Sequence, residues 1–277
     1  MPEAAAQASG QTAAPQPVDM ATAAREIEQY VRPETFPLGI RVIQQGQAVP
    51  EKARQPWRDL GAKVTVCQGI SMARRYGWTL AMGTEDLSCP IALVAFGFRP
   101  HNSYYDDGNL VCGMYTESME TAARTESDVP KFSEAEHGVI LVGPLGRLPL
   151  APDVVLVYGN SAQAMKMVAA ALYKTGGSLP STFSARADCA DIIIKTKQTD
   201  HPQVILPCYG DRVFGQTQDH EMAFTIPWAQ MPTFIEGLKG THAGGVRYPV
   251  PHFLRYTPQF PPTYEKLRGM WDSEADS

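Results

Sequence analysis

Short apolar runs bounded by glycine and proline alternate with helical patterns along this chain, in no regular order. Strand-like runs cover residues 38–43, 139–142 and 154–158, and a helical pattern follows from 161 to about 175. A strict β–α–β succession, which would indicate a doubly wound parallel sheet, is missing from the pattern. The sequence therefore predicts an α+β fold, with a mixed sheet and packed helices.

Length and composition predict one large domain with two irregular ends. The 277 residues are enough to bury a sizeable core. Residues 1–24 are rich in Ala, Gln, Pro and Thr, which predicts a disordered leader. Residues 25–246 form the predicted globular domain, and residues 247–277 interleave proline with aromatic residues. Because proline interrupts helices and sheets, we expect this tail to be an extended strap on the surface.

Capping and stop residues locate several helices within the domain. Asp19 can cap a helix over residues 19–31, and Gly77 follows a helical pattern over residues 64–76. Other expected elements are a strand at residues 181–185, a helix or strand at 188–195, and a helix at 230–238 that ends before Gly240.

Charge and hydropathy exclude two classes of partner. The net charge is -5, and the 24 Lys and Arg residues are dispersed, so we expect no nucleic-acid partner. No apolar run approaches the roughly 20 residues of a membrane-spanning helix, so we expect no membrane partner. The leader lacks the features of a secretory signal, and the cysteine count is odd, which favours a reducing cytoplasm.

Five cysteines are scattered along the chain without any pair at metal-ligand spacing. They are Cys67, Cys89, Cys112, Cys189 and Cys208. Structural zinc sites usually contain short ligand pairs, so zinc is a weaker expectation than an iron–sulfur cluster. Any shared site would have to be assembled by the fold, and the ordinary alternative is that each cysteine packs as a small buried apolar residue.

Two of these cysteines are predicted at helix N-termini. Ser88 and Pro90 flank Cys89 and suggest that Ser88 caps a helix. Asp188 could cap a second helix next to Cys189. The exposed amides and the dipole of a helix N-terminus stabilise a thiolate, so we expect these positions to lower the thiol pKa.

Asp211 and Arg212 follow Cys208 closely and could pair with each other or with a substrate. A guanidinium offers a planar fork for carboxylate or phosphate, although a turn held by a salt bridge is the ordinary interpretation. No glycine-rich nucleotide-binding loop is present in the sequence, and the six histidines form no metal-binding pattern.

Four segments together resemble the prokaryotic family called domain of unknown function 169. They are Cys67–Arg75, residues 84–90, residues 152–160 and residues 206–212. The resemblance extends from about Ala24 to Gly240. Cys67, Cys89, Cys189 and Cys208 fall on motif positions of that family, whereas Cys112 does not. The family implies no settled activity, but it makes an oxygen-sensitive or redox setting plausible.

Three hypotheses follow. The first is a cytoplasmic iron–sulfur protein, with the four motif cysteines as ligands and with Asp211 and Arg212 beside the cluster, acting with a redox partner protein. The second is a metal-free module that binds a small anionic ligand through Arg41, Arg186 and Arg212. The third is thiol chemistry at Cys89.

Overall fold

The computed structural model describes residues 17–250 and 258–275, and in this part of the chain six strands form one antiparallel sheet. The α+β prediction is therefore confirmed. The strands are β1 (Leu38–Gln44), β2 (Leu80–Gly83), β3 (His137–Pro144), β4 (Val154–Gly159), β5 (Gln203–Ile205) and β6 (Met222–Pro227). Their order across the sheet is β2–β3–β1–β4–β6–β5.

Helices pack on both faces of this sheet. The helices are α1 (Met20–Val31), α2 (Pro56–Leu60), α3 (Val66–Tyr76), α4 (Pro90–Ala95), α5 (Ser103–Asp106), α6 (Met119–Ser127), α7 (Ser161–Leu172), α8 (Asp188–Ala190), α9 (Thr196–Thr199), α10 (Tyr209–Val213), α11 (Met231–Ala243) and α12 (Pro262–Ala275). A π-helical turn (Asp191–Lys195) joins α8 to α9, so that the three form one continuous helical segment.

Strand β4 separates two hydrophobic cores, because successive side chains of a strand point to opposite faces. Val155 and Val157 point into the core beneath α1, α7 and α11. Leu156 and Tyr158 point into the larger core beneath α3, α4 and α8. We call the side of the sheet to which Leu156 and Tyr158 point the cysteine face. All six β4 residues are buried, as expected for an uninterrupted apolar run.

The predicted start and end of α1 and the predicted end of α3 are confirmed, whereas α3 begins at Val66, two residues after the predicted start. The Asp19 side chain accepts a hydrogen bond from the Thr22 amide at 2.8 Å and caps α1. Thr65 and Gln68 form a reciprocal capping box at the start of α3. Gly77 ends α3 with φ of 71°, a left-handed conformation that suits glycine.

Two internal predictions are wrong. Residues 181–185 form no strand. The Val204 amide donates a hydrogen bond to the Ser181 hydroxyl at 3.1 Å, and not to the Ser181 backbone carbonyl as in a paired strand. Gly240 does not end α11, which continues to Ala243. Instead, Gly240 allows a close approach, since a Cβ there would overlap the Tyr173 ring.

The ends of the domain also differ from expectation. Helix α1 begins at Met20 and buries Ala23, so the ordered domain starts before residue 25; residues 1–16 of the expected leader lie outside the described part. The tail was expected to be an extended strap, but residues 262–275 are helical, because no proline follows Pro262. The strap expected at 251–257 lies outside the described residues. None of the described helices is both long and apolar enough to cross a membrane.

A buried lysine ties α7 to the end of α11. Lys166 is fully buried, and its ammonium donates to the Leu238 carbonyl (3.2 Å), the Thr241 hydroxyl (2.6 Å) and the Val246 carbonyl (2.8 Å). It therefore satisfies carbonyls at a helix C-terminus, where positive charge is favourable. Burial nevertheless lowers the pKa of Lys166 to about 8.

This lowered pKa predicts a pH dependence of stability. Between about pH 8 and 10.4, Lys166 holds its proton in the unfolded chain but not in the folded one, so folding becomes more favourable as pH rises. Across that window, we expect the free energy of unfolding of the wild type, minus that of Lys166→Met, to increase by on the order of 3 kcal/mol. Denaturant titrations at several pH values measure this difference, and a flat or falling difference would contradict the prediction.

Candidate functional site

The four motif cysteines lie in the first turns of four different helices. Cys67 is the second residue of α3, and Cys189 is the second residue of α8. Cys89 and Cys208 are themselves the N-caps of α4 and α10. The expectation that Ser88 caps α4 is wrong, since the backbone of Cys89 already has the extended conformation of the cap.

Hydrogen bonds and packing bring these first turns together on the cysteine face. The Cys67 thiol donates to the Gly210 carbonyl of α10 at 3.7 Å. The Cys208 thiol donates to Oδ1 of Asp188, in the first turn of α8, at 3.2 Å. Helix α4 packs against α8. The fold therefore places four segments that are distant in sequence around one locus.

Burial keeps three of the thiols neutral in this arrangement. It raises the pKa of Cys67 to about 12 and raises the pKa of Cys189 and Cys208 as well. Asp188, Cys89, Cys67 and Cys208 raise the pKa of Cys189 further, because an anion at any of them would repel a thiolate at Cys189. The expectation that a helix N-terminus lowers the pKa of Cys189 is therefore wrong, because desolvation outweighs the helix dipole.

Two buried carboxyl groups lie beside the thiols. Oδ2 of Asp211 accepts from the Tyr158 hydroxyl at 2.9 Å and from the Thr217 hydroxyl at 2.7 Å. Burial and the adjacent Asp211 raise the pKa of Asp188 well above its usual value. Oδ2 of Asp188 is buried and has no hydrogen-bond partner in the described part of the chain. Asp188 does not cap its helix as expected; it is the first helical residue and faces Cys208.

A buried guanidinium supports the carboxyl groups from the sheet side. Arg74 lies over the Tyr158 ring, with its Cζ 4.1 Å from the ring centroid. It donates to the Thr217 hydroxyl at 3.2 Å and to both carboxylate oxygens of Glu221, at 2.5 and 3.0 Å. The bond to Arg74 counters burial and holds the pKa of Glu221 below its usual value. Arg74 is thus connected to Asp211 through the Thr217 hydroxyl, by two hydrogen bonds in series, and supplies a positive charge to this network.

The structure separates Asp211 from Arg212. Asp211 faces the buried thiols, whereas the Arg212 guanidinium donates to the Gln218 carbonyl at 2.9 Å. The other two candidate arginines bind carboxylates of this chain. Arg41 pairs with Asp153 at 3.2 Å. Arg186 pairs with Glu126 at 2.6 Å.

Cys112 lies apart from the other cysteines in the loop between α5 and α6. It is half-buried, and its thiol donates to the Glu117 carbonyl at 3.8 Å. Tyr115 of the same loop lies close enough to Cys208 to interact with it, and burial together with this neighbour raises the pKa of Tyr115.

Sequence reasoning missed four members of this site: Arg74, Tyr158, Thr217 and Glu221. Arg74 and Tyr158 lie inside two of the motif segments, which was an available signal. Thr217 and Glu221 carry no local signal, since their roles depend on contacts with residues 143 and 147 positions away.

The donor set can supply four thiolates and the free Asp188 oxygen to a cationic centre. Among the described residues, no three His, Cys, Asp or Glu side chains lie close enough together to hold a single metal ion. The thiols therefore share one locus without forming a closed coordination shell around one ion.

Burial predicts the order in which the thiols react. In metal-free protein we expect an alkylating reagent to modify half-buried Cys89 and Cys112 well before Cys67, Cys189 and Cys208. Timed alkylation followed by peptide mass spectrometry measures this order, and unfolded protein, in which all five react, is the control. Labelling of Cys189 as fast as Cys112 would contradict the structure.

The ion pair between Arg74 and Glu221 predicts that a single variant loses more stability than the double variant. Arg74→Met removes both direct hydrogen bonds of a guanidinium to the buried Glu221 carboxylate and leaves it only Arg75, 3.7 Å away, as a cation, so we expect a loss of about 3 kcal/mol in the free energy of unfolding. Arg74→Met combined with Glu221→Gln removes both charges, and we expect a smaller loss. Denaturant unfolding measures both, and equal losses would show that the ion pair does not dominate.

Comparison with known proteins identifies the family. Over 205 residues the chain is 23% identical to an uncharacterised protein of Methanocaldococcus jannaschii, covering 73% of this chain and 86% of the relative. No solved structure matches the chain significantly. The sequence profile described as "Uncharacterised ArCR" matches residues 26–237, so the chain belongs to the family called domain of unknown function 169.

Proposed function

We propose that this protein binds an iron–sulfur cluster through Cys67, Cys89, Cys189 and Cys208 and transfers single electrons to or from a partner protein. The observation that carries the proposal is the meeting of four thiols from four distant segments at one buried locus. Cysteines that served only as apolar packing would not have to share one locus, whereas ligands of a common centre must.

The electrostatics of the locus favour a cationic centre. Burial and mutual repulsion raise the pKa of Cys189, and both effects would be relieved if a metal centre took up the thiolate charge. Oδ2 of Asp188, which has no hydrogen-bond partner in the described part of the chain, would be a further oxygen ligand once Asp188 loses its proton as the centre binds. The N-termini of α3 and of the helical segment beginning with α8 add positive dipole ends near Cys67 and Cys189.

The arrangement of the donors favours a cluster over zinc, because no three of the described His, Cys, Asp or Glu side chains converge on a single point. A tetrahedral zinc ion binds sulfur at about 2.3 Å, so its four sulfurs must crowd around one point. A cluster contains several iron and sulfide atoms, so its ligand sulfurs lie further apart. The chain also lacks the short cysteine pairs that structural zinc sites usually contain.

The neighbouring polar groups would tune the potential of the cluster. Asp211 adds negative charge close to Cys67, and Tyr158 and Thr217 fix its position by hydrogen bonds. Arg74 acts on the same network with the opposite charge. Arg212, which binds the Gln218 carbonyl, would support the turn after α10 rather than contact the cluster.

The alternative, a metal-free module that binds a small anion, has weaker support, because Arg41 and Arg186 already bind Asp153 and Glu126. Thiol chemistry at Cys89 is supported by one observation, since Cys89 is the most exposed of the four motif thiols.

Free thiols and an odd cysteine count favour a reducing cytoplasm as the location.

Purification without oxygen tests the proposal. We expect a coloured protein that contains iron and acid-labile sulfide and whose visible absorption bleaches reversibly on reduction. Serine at Cys67, Cys89, Cys189 or Cys208 should lower the iron and sulfide content severalfold, because each removes one ligand.

Cys112→Ser is the matched control and should keep the full iron content, since Cys112 lies outside the site. A colourless protein without iron, even after reconstitution with iron and sulfide, would contradict the proposal. If such protein were instead stabilised by carboxylates or phosphates, the anion-binding module would replace it. If Cys89 alone reacted with electrophiles near neutral pH, thiol chemistry would replace it.

A further inference from the structure

A polar cavity lies between α6, the loop before α8 and the π-helical turn. Its volume is about 420 Å³. Three hydroxyl groups line it, those of Thr125, Thr182 and Ser184. Two carboxylates, a lysine and one aromatic ring complete the lining, and apart from that ring and the side-chain stems the wall is polar. Nothing in the proposed cluster site accounts for this concentration of hydrogen-bonding groups.

The buried carboxylate of Asp191 is the central feature of the cavity. Asp191 is only 8% exposed, yet it lines the cavity. The Ser184 hydroxyl donates to it, and within the described part of the chain it has no ion pair. Buried charges in proteins are normally paired or bound to a cation. The Asp191 carboxylate therefore faces an open space and forms no direct ion pair, although the charge of Lys195 acts on it from four residues along the helical segment.

The nearest lysine is engaged elsewhere. Lys195 lies four residues after Asp191 at the other end of the π-helical turn, and its ammonium donates to the Thr182 hydroxyl. A π-helical turn is a rare geometry that occurs frequently at functional sites. Here it places one carboxylate and one ammonium on the wall of the same cavity.

We propose that this cavity binds a small molecule carrying a primary ammonium group, with Asp191 as its counter-ion. The ammonium has three N–H donors, and the Asp191 carboxylate and the hydroxyls of Ser184 and Thr125 are acceptors for them. Lys195 and Thr182 are placed to bind a hydroxyl or carboxylate at the other end of the ligand. Phe183, which is largely exposed, covers the aliphatic part.

The charge of the lining fits such a ligand. Asp128 and Asp191 contribute two negative charges and Lys195 one positive charge, so the lining of the cavity carries a net charge of -1. Amino alcohols and amino acids share the ammonium group and differ at the end that faces Lys195. This site is independent of the cluster, because none of its lining residues is a proposed ligand.

Binding of three small amines tests the proposal. We expect ethanolamine, glycine or β-alanine to bind the full-length protein in titration calorimetry or saturation-transfer NMR, and their ranking identifies the group that faces Lys195. Choline is the control, because its quaternary nitrogen has no N–H donor, and we expect it to bind at least tenfold more weakly. Asp191→Asn should weaken amine binding by about tenfold or more, since one charged hydrogen bond contributes roughly 1.5–3 kcal/mol.

Asp219→Asn is the matched charge control. Asp219 is exposed and does not line the cavity, so we expect its variant to change amine affinity by less than threefold. If Asp191→Asn does not fold, Thr125→Val takes its place, because it removes a half-buried hydroxyl from the cavity wall. Absence of binding by all three amines, equal binding of choline, or unchanged affinity in these cavity variants would overturn the proposal. None of these outcomes depends on iron content, so the two proposals fail separately.

Discussion

The buried guanidinium of Arg74 holds together the polar network on which the cysteine site rests. It binds Glu221 and Thr217 and lies over the ring of Tyr158. Thr217 and Tyr158 in turn donate to Asp211, which lies among the thiols. Without this cation, the buried carboxyl groups of Asp211 and Glu221 would keep only the exposed Arg75, 3.7 Å from Glu221, as a positive charge, and a buried carboxylate that lacks a close cation is costly.

Even with Arg74, the cysteine face contains more acidic groups than this chain neutralises. Burial raises the pKa of Cys67, Cys189 and Cys208, and it raises the pKa of Asp188. These groups are therefore stable only as neutral acids while nothing is bound. A metal centre that binds their deprotonated forms would compensate the negative charges that are unfavourable in the buried site. This imbalance is the physical reason to regard the locus as a ligand set rather than as packing.

Much of the fold could be predicted from local sequence. Asp19 and Gly77 marked helix ends that the structure confirms, and the apolar run at residues 154–158 was a buried strand. The errors arose where a tertiary contact overrode local chemistry. Gly240 looks like a helix stop, but it continues α11 because the Tyr173 ring requires a residue without a Cβ.

The position of the candidate site could be predicted in part from the sequence, and its protonation could not. The motif positions separated four cysteines from Cys112, and the first turns that carry those four lie near one another, whereas Cys112 contacts Glu117. Their protonation could not be predicted, because the helix-dipole argument for Cys189 was local, whereas desolvation by the whole core decided the result. Asp188 was misread as a helix cap for the same reason, since its contact with Cys208 exists only in the folded chain.

The most direct test of this account is a crystal structure of protein purified without oxygen, with anomalous scattering recorded at the iron absorption edge. The account predicts one strong iron peak on the cysteine face, bounded by the sulfurs of Cys67, Cys89, Cys189 and Cys208. Density for four free thiols with no iron between them, in crystals of protein reconstituted with iron and sulfide, would contradict it.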